Sequence, residues 1–180
     1  MGIILRSLVI AFIMKEIPSK KCYIFYYEDV SHVVRLPEYL NYTVKVVNKS
    51  SLNAEVNVLK PIANPYWKIE LHSKIRNTDI VFFNKTTRYC DFGRLAQHNT
   101  IFKNMLLTFR ETTNLDFKCP VCKCHYFIRN LYFQADSLPL GPAFSAKDGF
   151  QVIVAGYIKE QRKLKEIGSI RFLLTVEKLC

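Results

Sequence analysis

The fold is decided by the stretch from Arg88 to Phe133, which reads RYCDFGRLAQHNTIFKNMLLTFRETTNLDFKCPVCKCHYFIRNLYF. Its first residues end an alternating apolar segment at Cys90, and a helical pattern of apolar residues follows. A turn with three cysteines, from Cys119 to Cys124, comes next, and alternation then returns. Apolar side chains recur at every second residue of a half-buried strand and at every third or fourth residue of a helix. The stretch therefore predicts strand, helix, turn and strand in that order.

The helical part predicts one amphipathic helix around residues 93–110. Asp91 is a candidate N-cap, and Arg110 suits the C-terminal end. The apolar residues that gather on one face are Leu95, Phe102, Met105, Leu106 and Phe109. This face can pack against a sheet or line a ligand pocket, and the two interpretations overlap.

Short alternating runs on both sides of this stretch predict strands. Trp67, Ile69 and Leu71 alternate with polar residues, as do the apolar residues of 52–58. After the cysteines, Tyr126, Ile128, Asn130 and Tyr132 are predicted to share one face. Further runs at 21–27, 41–48, 80–90, 150–158 and 167–176 complete the pattern, the last two as a hairpin. We expect a mainly β, antiparallel sandwich with the helix inserted.

The length of the chain favours a single domain that spans residues 20–180. Its charge does not single out nucleic acid as a partner. The chain has 180 residues and a net charge of +11, but the positive residues are scattered. The densest cluster is Lys159, Arg162, Lys163 and Lys165, which lies between two apolar runs and is best explained as a solvated turn. We expect no nucleic acid, while an acidic lipid or glycan surface stays open as a partner.

The N-terminal residues 1–19 are predicted to be a signal peptide, with a cut after Ser19. A positive start precedes the apolar run Ser7–Met14, which is too short to span a membrane. The alternatives are a buried first helix or strand and a misplaced start codon. N-glycosylation sequons at Asn41, Asn48 and Asn84 agree with secretion, so we expect an extracellular protein.

Cysteines fit an oxidising compartment better than a metal site. The six are Cys22, Cys90, Cys119, Cys122, Cys124 and Cys180. Zinc would need four ligands, and a second matched pair is missing from the sequence, so disulfides are favoured. The preferred pair is Cys90 with Cys119, which would join the two ends of the segment that contains the predicted helix. In a strand, Cys122 and Cys124 would have Cα atoms about 6.7 Å apart, and we expect them to pair elsewhere.

No catalytic signature occurs in the sequence. The nucleophile elbow, the zinc-protease helix motif and the Gly-rich phosphate or dinucleotide loops are all missing. We therefore expect a protein that is not an enzyme and that carries no cofactor.

Several short motifs in order resemble a large insect family of small secreted proteins. They are Asn84-Lys-Thr, Tyr89-Cys-Asp-Phe92, the amphipathic helix, Asn114-Leu, Lys118-Cys-Pro120 and Tyr126–Leu131. That family is related to the ML (MD-related lipid-recognition) domains and includes the chemosensory B proteins of flies. The resemblance implies an immunoglobulin-like sandwich that holds a lipid between its sheets, with secretion, disulfides and no catalysis. Cys90 and Cys119-Pro120 match the family's recurrent cysteines, whereas Cys122 and Cys124 are additions.

The function we expect is that of a secreted binding protein for a lipid or another apolar small molecule. A chemosensory, pheromone-related role and a receptor as partner are further expectations. Candidate lining residues are Trp67, Ile69, Leu71, Phe102, Met105, Leu106, Phe109 and Ile128. One alternative is a secreted structural or protein-interaction domain with a filled core. Another is an intracellular, zinc-containing, nucleic-acid-binding protein.

Overall fold

The chain forms a two-sheet structure with a short helical segment. The computed structural model describes residues 23–75, 78–98, 100–132 and 149–178. Within these residues the strands are β1 (Tyr23–Val34), β2 (Leu40–Asn48), β3 (Ser51–Val58), β4 (Tyr66–Ile75), β5 (Thr78–Arg88), β6 (His125–Leu131), β7 (Phe150–Glu160) and β8 (Lys163–Lys178). A 3-10 turn (Tyr89–Asp91), helix α1 (Phe92–His98) and helix α2 (Thr100–Thr112) lie between β5 and β6. The predicted signal peptide, Cys22 and Cys180 lie outside the described residues.

The two sheets pack face to face, and the predicted β-sandwich is confirmed. The larger sheet has the order β1-β8-β7-β4-β5 and the smaller one the order β2-β3-β6. All strand pairs are antiparallel, and β7 and β8 form the predicted hairpin. Leu52 and Leu131 of the smaller sheet share a buried cluster with Phe172 and Leu174 of the larger one. The core therefore lies between the inner faces of the sheets, where alternating apolar residues meet.

Two buried tyrosine hydroxyls connect the sheets. The Tyr42 hydroxyl of β2 lies 2.8 Å from the Val33 carbonyl oxygen and 2.7 Å from that of Ser169. The Tyr27 hydroxyl of β1 donates to the Leu131 carbonyl at 3.1 Å. Burial raises the pKa of Tyr42 to about 12. Each hydroxyl thus bonds to a carbonyl of the opposite sheet while its ring contributes apolar surface to the core.

The helices cover inner surface that the smaller sheet leaves open. A three-stranded sheet cannot cover a five-stranded one, and α1 and α2 supply additional apolar surface. Ala96 of α1 and Leu106 of α2 are buried in one cluster with Ile69 of β4. The helical segment predicted around residues 93–110 is present, and it consists of α1 and α2. Apolar spacing does not separate them, because both present apolar residues to the same cluster.

Asp91, the candidate N-cap, directly precedes helix α1. It ends the 3-10 turn Tyr89–Asp91. Its carboxylate lies 2.9 Å from Arg88 Nε and 3.5 Å from an Arg94 guanidinium nitrogen. Asp91 therefore joins the end of β5 to the first turn of α1 through ion pairs.

A bulge changes the inward face of β6 near its end. Ala54 pairs with Ile128 and Leu52 pairs with Leu131, so the register shifts by one residue. Asn130 has φ of 52° and is exposed, whereas Leu131 is buried. The prediction that Asn130 continues the face of Ile128 is wrong, because the extra residue of a bulge reverses the alternation.

Candidate ligand-binding cavity

An apolar cavity of about 240 Å³ lies between the two sheets. Both sheets contribute to its wall, and α2 and the loops at one end complete it. The smaller sheet supplies Leu40, Tyr42, Leu52, Ala54, Val56, Val58, Tyr126, Ile128 and Leu131. The larger sheet supplies Trp67, Ile69, Leu71, Phe83, Val152, Val154, Gly156, Ile167, Gly168, Ser169, Ile170 and Phe172. An engineered cavity of about 150 Å³ is already sufficient to bind benzene, so this space can hold an apolar guest.

Strand alternation explains why the wall is apolar. Because successive side chains point to opposite faces of a strand, β4 directs Trp67, Ile69 and Leu71 into the cavity. The residues between them, Lys68 and Glu70, lie on the other face, where the Lys68 ammonium is 2.6 Å from the Glu70 carboxylate. The hydrogen bond from Lys68 is the main cause that lowers the pKa of Glu70. The charges of Lys68 and Glu70 are thus paired outside the sandwich.

The structure brings five of the eight predicted lining residues to the cavity wall. These five are Trp67, Ile69, Leu71, Phe109 and Ile128. Leu106 is buried in the cluster between the helices and β4 and is not part of the wall. The side chains of Phe102 and Met105 lie outside the described part of the structure.

Sequence reasoning missed the contributions of β3 and β7 to the wall. The alternation of Leu52, Ala54, Val56 and Val58 was visible as a half-buried strand, and all four line the cavity. The pattern could have nominated them, since it marks the inward face of a strand. It does not say which parts of that face meet open space.

Trp67, Tyr89 and Phe109 line the cavity, and a cluster of aromatic rings surrounds Trp67. Its ring centroid lies 5.0 Å from that of Tyr89, 6.2 Å from that of Phe109 and 5.8 Å from that of Phe117. Phe117 has φ of 52°, which is unusual for a bulky residue. Its ring stacks on Phe92 at 4.9 Å. These ring contacts hold the residue in a conformation that costs on the order of 1–3 kcal/mol.

A disulfide joins Cys90 to Cys119, with Cα atoms 5.7 Å apart. The predicted pair is therefore present. It connects the 3-10 turn after β5 to the loop after α2, beside the aromatic rings. Because Cys119 is bonded to Cys90, it is not free to join Cys122 and Cys124 as a zinc ligand. Among the described residues no group of three or more His, Cys, Asp or Glu is placed to hold a metal ion.

Cys122 and Cys124 face each other in the loop before β6. Their sulfur atoms are 2.7 Å apart, and both residues are exposed. The Tyr126 hydroxyl lies 3.0 Å from Cys122 Sγ. The expected Cα separation assumed a strand, but β6 begins only at His125. The expectation that the two cysteines pair elsewhere stays a prediction, since Cys22 and Cys180 lie outside the described residues.

The surface positions predicted for glycans and for basic residues are exposed. Asn41, Asn48 and Asn84 are exposed on β2 and β5. The basic cluster occupies the turn between β7 and β8, where Gln161 and Arg162 have φ of 46° and 71°. Two consecutive positive φ values are the mark of a tight hairpin. The cluster is thus a solvated turn, as predicted.

The described residues contain no helix long and apolar enough to cross a membrane. Residues 67–144 match a family model described as "Protein of unknown function (DUF1091)". The match is less than half of the chain and covers β4 from Trp67 onward, β5, both helices and β6. A search of curated proteins found no match.

Proposed function

We propose that the protein is a secreted, non-enzymatic binding protein that holds a lipid or another apolar small molecule between its two sheets. The observation that carries this proposal is the apolar cavity of about 240 Å³ between the sheets. Burial of a ligand there would supply roughly 25 cal/mol per Å² of apolar surface removed from water. Ordering of the ligand and of the wall opposes part of that gain.

The matched family region supports a more specific assignment. Residues 67–144 contain most of the motifs that resemble the ML-like insect proteins. We therefore propose an ML-like carrier, with a chemosensory, pheromone-related role as the biological setting. The disulfide between Cys90 and Cys119 and the exposed sequon asparagines support secretion.

A pair of substitutions on β7 tests the cavity directly. Val154 lines the cavity, whereas its neighbour Ile153 lies on the opposite face of the strand. Val154→Phe places a ring in the cavity, and Ile153→Phe makes a similar change outside it. The measurement is the fluorescence of N-phenyl-1-naphthylamine titrated into each variant. Val154→Phe is expected to weaken probe binding at least tenfold, while Ile153→Phe leaves it near that of the unchanged protein.

Equal binding by both β7 variants would contradict the proposal. Native mass spectrometry of the secreted protein gives an independent result. A carrier is expected to retain apolar molecules that dissociate at higher collision energy, whereas a filled structural domain would show the mass of the glycosylated chain alone.

A further inference from the structure

The loop before β6 contains a pair of thiols that the proposed carrier function does not use. Cys122 and Cys124 are both exposed, and their sulfur atoms are in contact at 2.7 Å. Loop positions are held on both sides: Val121 pairs with Ile62, and the Cys124 carbonyl accepts a hydrogen bond from the Val58 amide at 3.0 Å. The two sulfurs are therefore brought together by a positioned backbone.

We propose that Cys122 and Cys124 form a reversible dithiol–disulfide couple that exchanges with low-molecular-weight disulfides. The couple is distinct from the disulfide between Cys90 and Cys119, whose cysteines are only partly exposed and pack beside the aromatic rings. Exposed disulfides are in general the more easily reduced ones. This inference does not depend on the proposed carrier function.

The exchange has two steps, and its atoms and electrons balance. The Cys122 thiolate attacks a sulfur of a small disulfide, forms a mixed disulfide and releases one small thiolate. The Cys124 thiolate then attacks Cys122 Sγ, forms the bond between the two cysteines and releases the second small thiolate. The protons lost from the two cysteines are taken up by the two released thiolates. The protein pair is oxidised by two electrons, and the small disulfide is reduced to two thiols.

The surroundings favour Cys122 as the attacking residue. Hydrogen bonds, first from Cys124 and second from the Tyr126 hydroxyl, lower the pKa of Cys122. The same contact with Cys122 raises the pKa of Cys124. A larger thiolate fraction at neutral pH makes Cys122 the better nucleophile, and Cys124 is then placed to resolve the mixed disulfide.

Peptide mapping tests the couple in the full chain. The protein is equilibrated with glutathione and glutathione disulfide at a series of ratios, quenched with acid, alkylated and digested with trypsin. Cleavage after Lys123 places Cys122 and Cys124 in different peptides. At oxidising ratios we expect residues 89–94, 119–123 and 124–129 to stay joined by two disulfides. At reducing ratios residues 124–129 are expected to separate, with Cys122 and Cys124 both alkylated.

Variants identify the order of the steps. Cys124→Ser is expected to accumulate Cys122 as a mixed disulfide with glutathione, because the resolving thiol is missing. Cys122→Ser is expected to form the corresponding mixed disulfide several-fold more slowly. Tyr126→Phe is expected to slow alkylation of Cys122, because it removes a donor to the thiolate.

Two results of the mapping would overturn the proposal. One is a bond from Cys122 or Cys124 to a peptide that carries Cys22 or Cys180. The other is alkylation of both cysteines at every ratio. Neither result affects the carrier function, which is tested by probe binding alone.

Discussion

At the scale of single residues, Gly168 explains how a tyrosine can bridge the sandwich. A Cβ at this position would lie 3.0 Å from the Tyr42 ring and 3.0 Å from the Val33 carbonyl oxygen. The absence of a side chain lets the Tyr42 hydroxyl reach the carbonyls of Val33 and Ser169. The glycine is thus needed for a close approach and not for an unusual backbone angle.

We expect Gly168→Ala to lower the free energy of unfolding by about 1–3 kcal/mol, because the added methyl group displaces Tyr42. Urea unfolding at neutral pH measures the change. Gly93→Ala is the matched control, since no atom lies within 4 Å of the corresponding Cβ and the site is helical. This control is expected to be neutral or slightly stabilising. If the Gly168→Ala variant is as stable as the control, the contacts of Tyr42 do not depend on the absence of a side chain at Gly168.

Phe109 belongs to the cavity wall and to the aromatic rings around Trp67. Phe109→Ala is expected to change ligand retention, because it removes apolar contact and enlarges the cavity. The observable is the dissociation rate of N-phenyl-1-naphthylamine, which should rise severalfold. Lys163→Ala, in the solvated turn of the β7–β8 hairpin, serves as the surface control and should leave the rate unchanged. Identical rates in the two variants would remove Phe109 from the binding site.

At the scale of elements, strand alternation was predictable and its interruptions were not. The strands β2, β3, β4 and β7 were found near their observed bounds, because one face of each is apolar. The bulge at Asn130 depends on a local backbone conformation, with φ of 52°, that apolar spacing does not encode. Five of the predicted lining residues lie in the cavity wall. They come from the most regular apolar patterns of the sequence, those of β4, β6 and α2.

The outer face of β4 makes stability depend on pH through Glu70. Its pKa is lowered chiefly by Lys68, with a smaller contribution from His72. A carboxyl whose pKa is lower in the folded chain adds stability that is fully present above the unfolded pKa. That stability is lost as the pH falls through the folded pKa. The relevant window therefore lies on the acid side of the ordinary value, 4.5.

We expect Glu70→Gln to reduce the loss of stability between neutral pH and about pH 3, because the linked proton uptake disappears. Thermal unfolding across this range measures the difference. Glu38→Gln, at an exposed position between β1 and β2, is the control and should follow the unchanged protein. If Glu70→Gln and the unchanged protein lose stability in parallel, the ion pair does not contribute.

At the scale of the whole molecule, the disulfide between Cys90 and Cys119 closes a loop with a sequence separation of 29. Loops of this length are associated with about 3–4 kcal/mol of stabilisation in the chain-entropy description. The double variant Cys90→Ser with Cys119→Ser is expected to have a free energy of unfolding, measured by urea unfolding, that is lower by that amount. A reductant should destabilise the unchanged protein and have little further effect on the double variant. Equal stability of the two proteins without reductant would contradict this role.

Apart from the hairpin of β7 and β8, strand pairing was beyond sequence reasoning, and so was the extent of the cavity. The alternation of apolar residues at Val152, Val154 and Leu52 marks inward faces. It does not give the order of strands, in which β7 lies between β4 and β8. The cavity arises because the sheets are unequal and the helices complete the wall. This result of the three-dimensional spacing between elements has no local signal. The family resemblance suggested a space between the sheets, but only the three-dimensional structure identifies the residues that line it.

The closed loop also changes what a single backbone cut would do. A protease that cleaved between Asp91 and Lys118 would leave both fragments covalently attached through Cys90 and Cys119. Neither sheet would lose a strand, because the eight strands of the described residues lie outside that interval. On a denaturing gel, the nicked protein would therefore migrate as one species without a reductant and as two species with a reductant. In a chain built in this way, a cut in that interval does not release a fragment as long as the disulfide is intact.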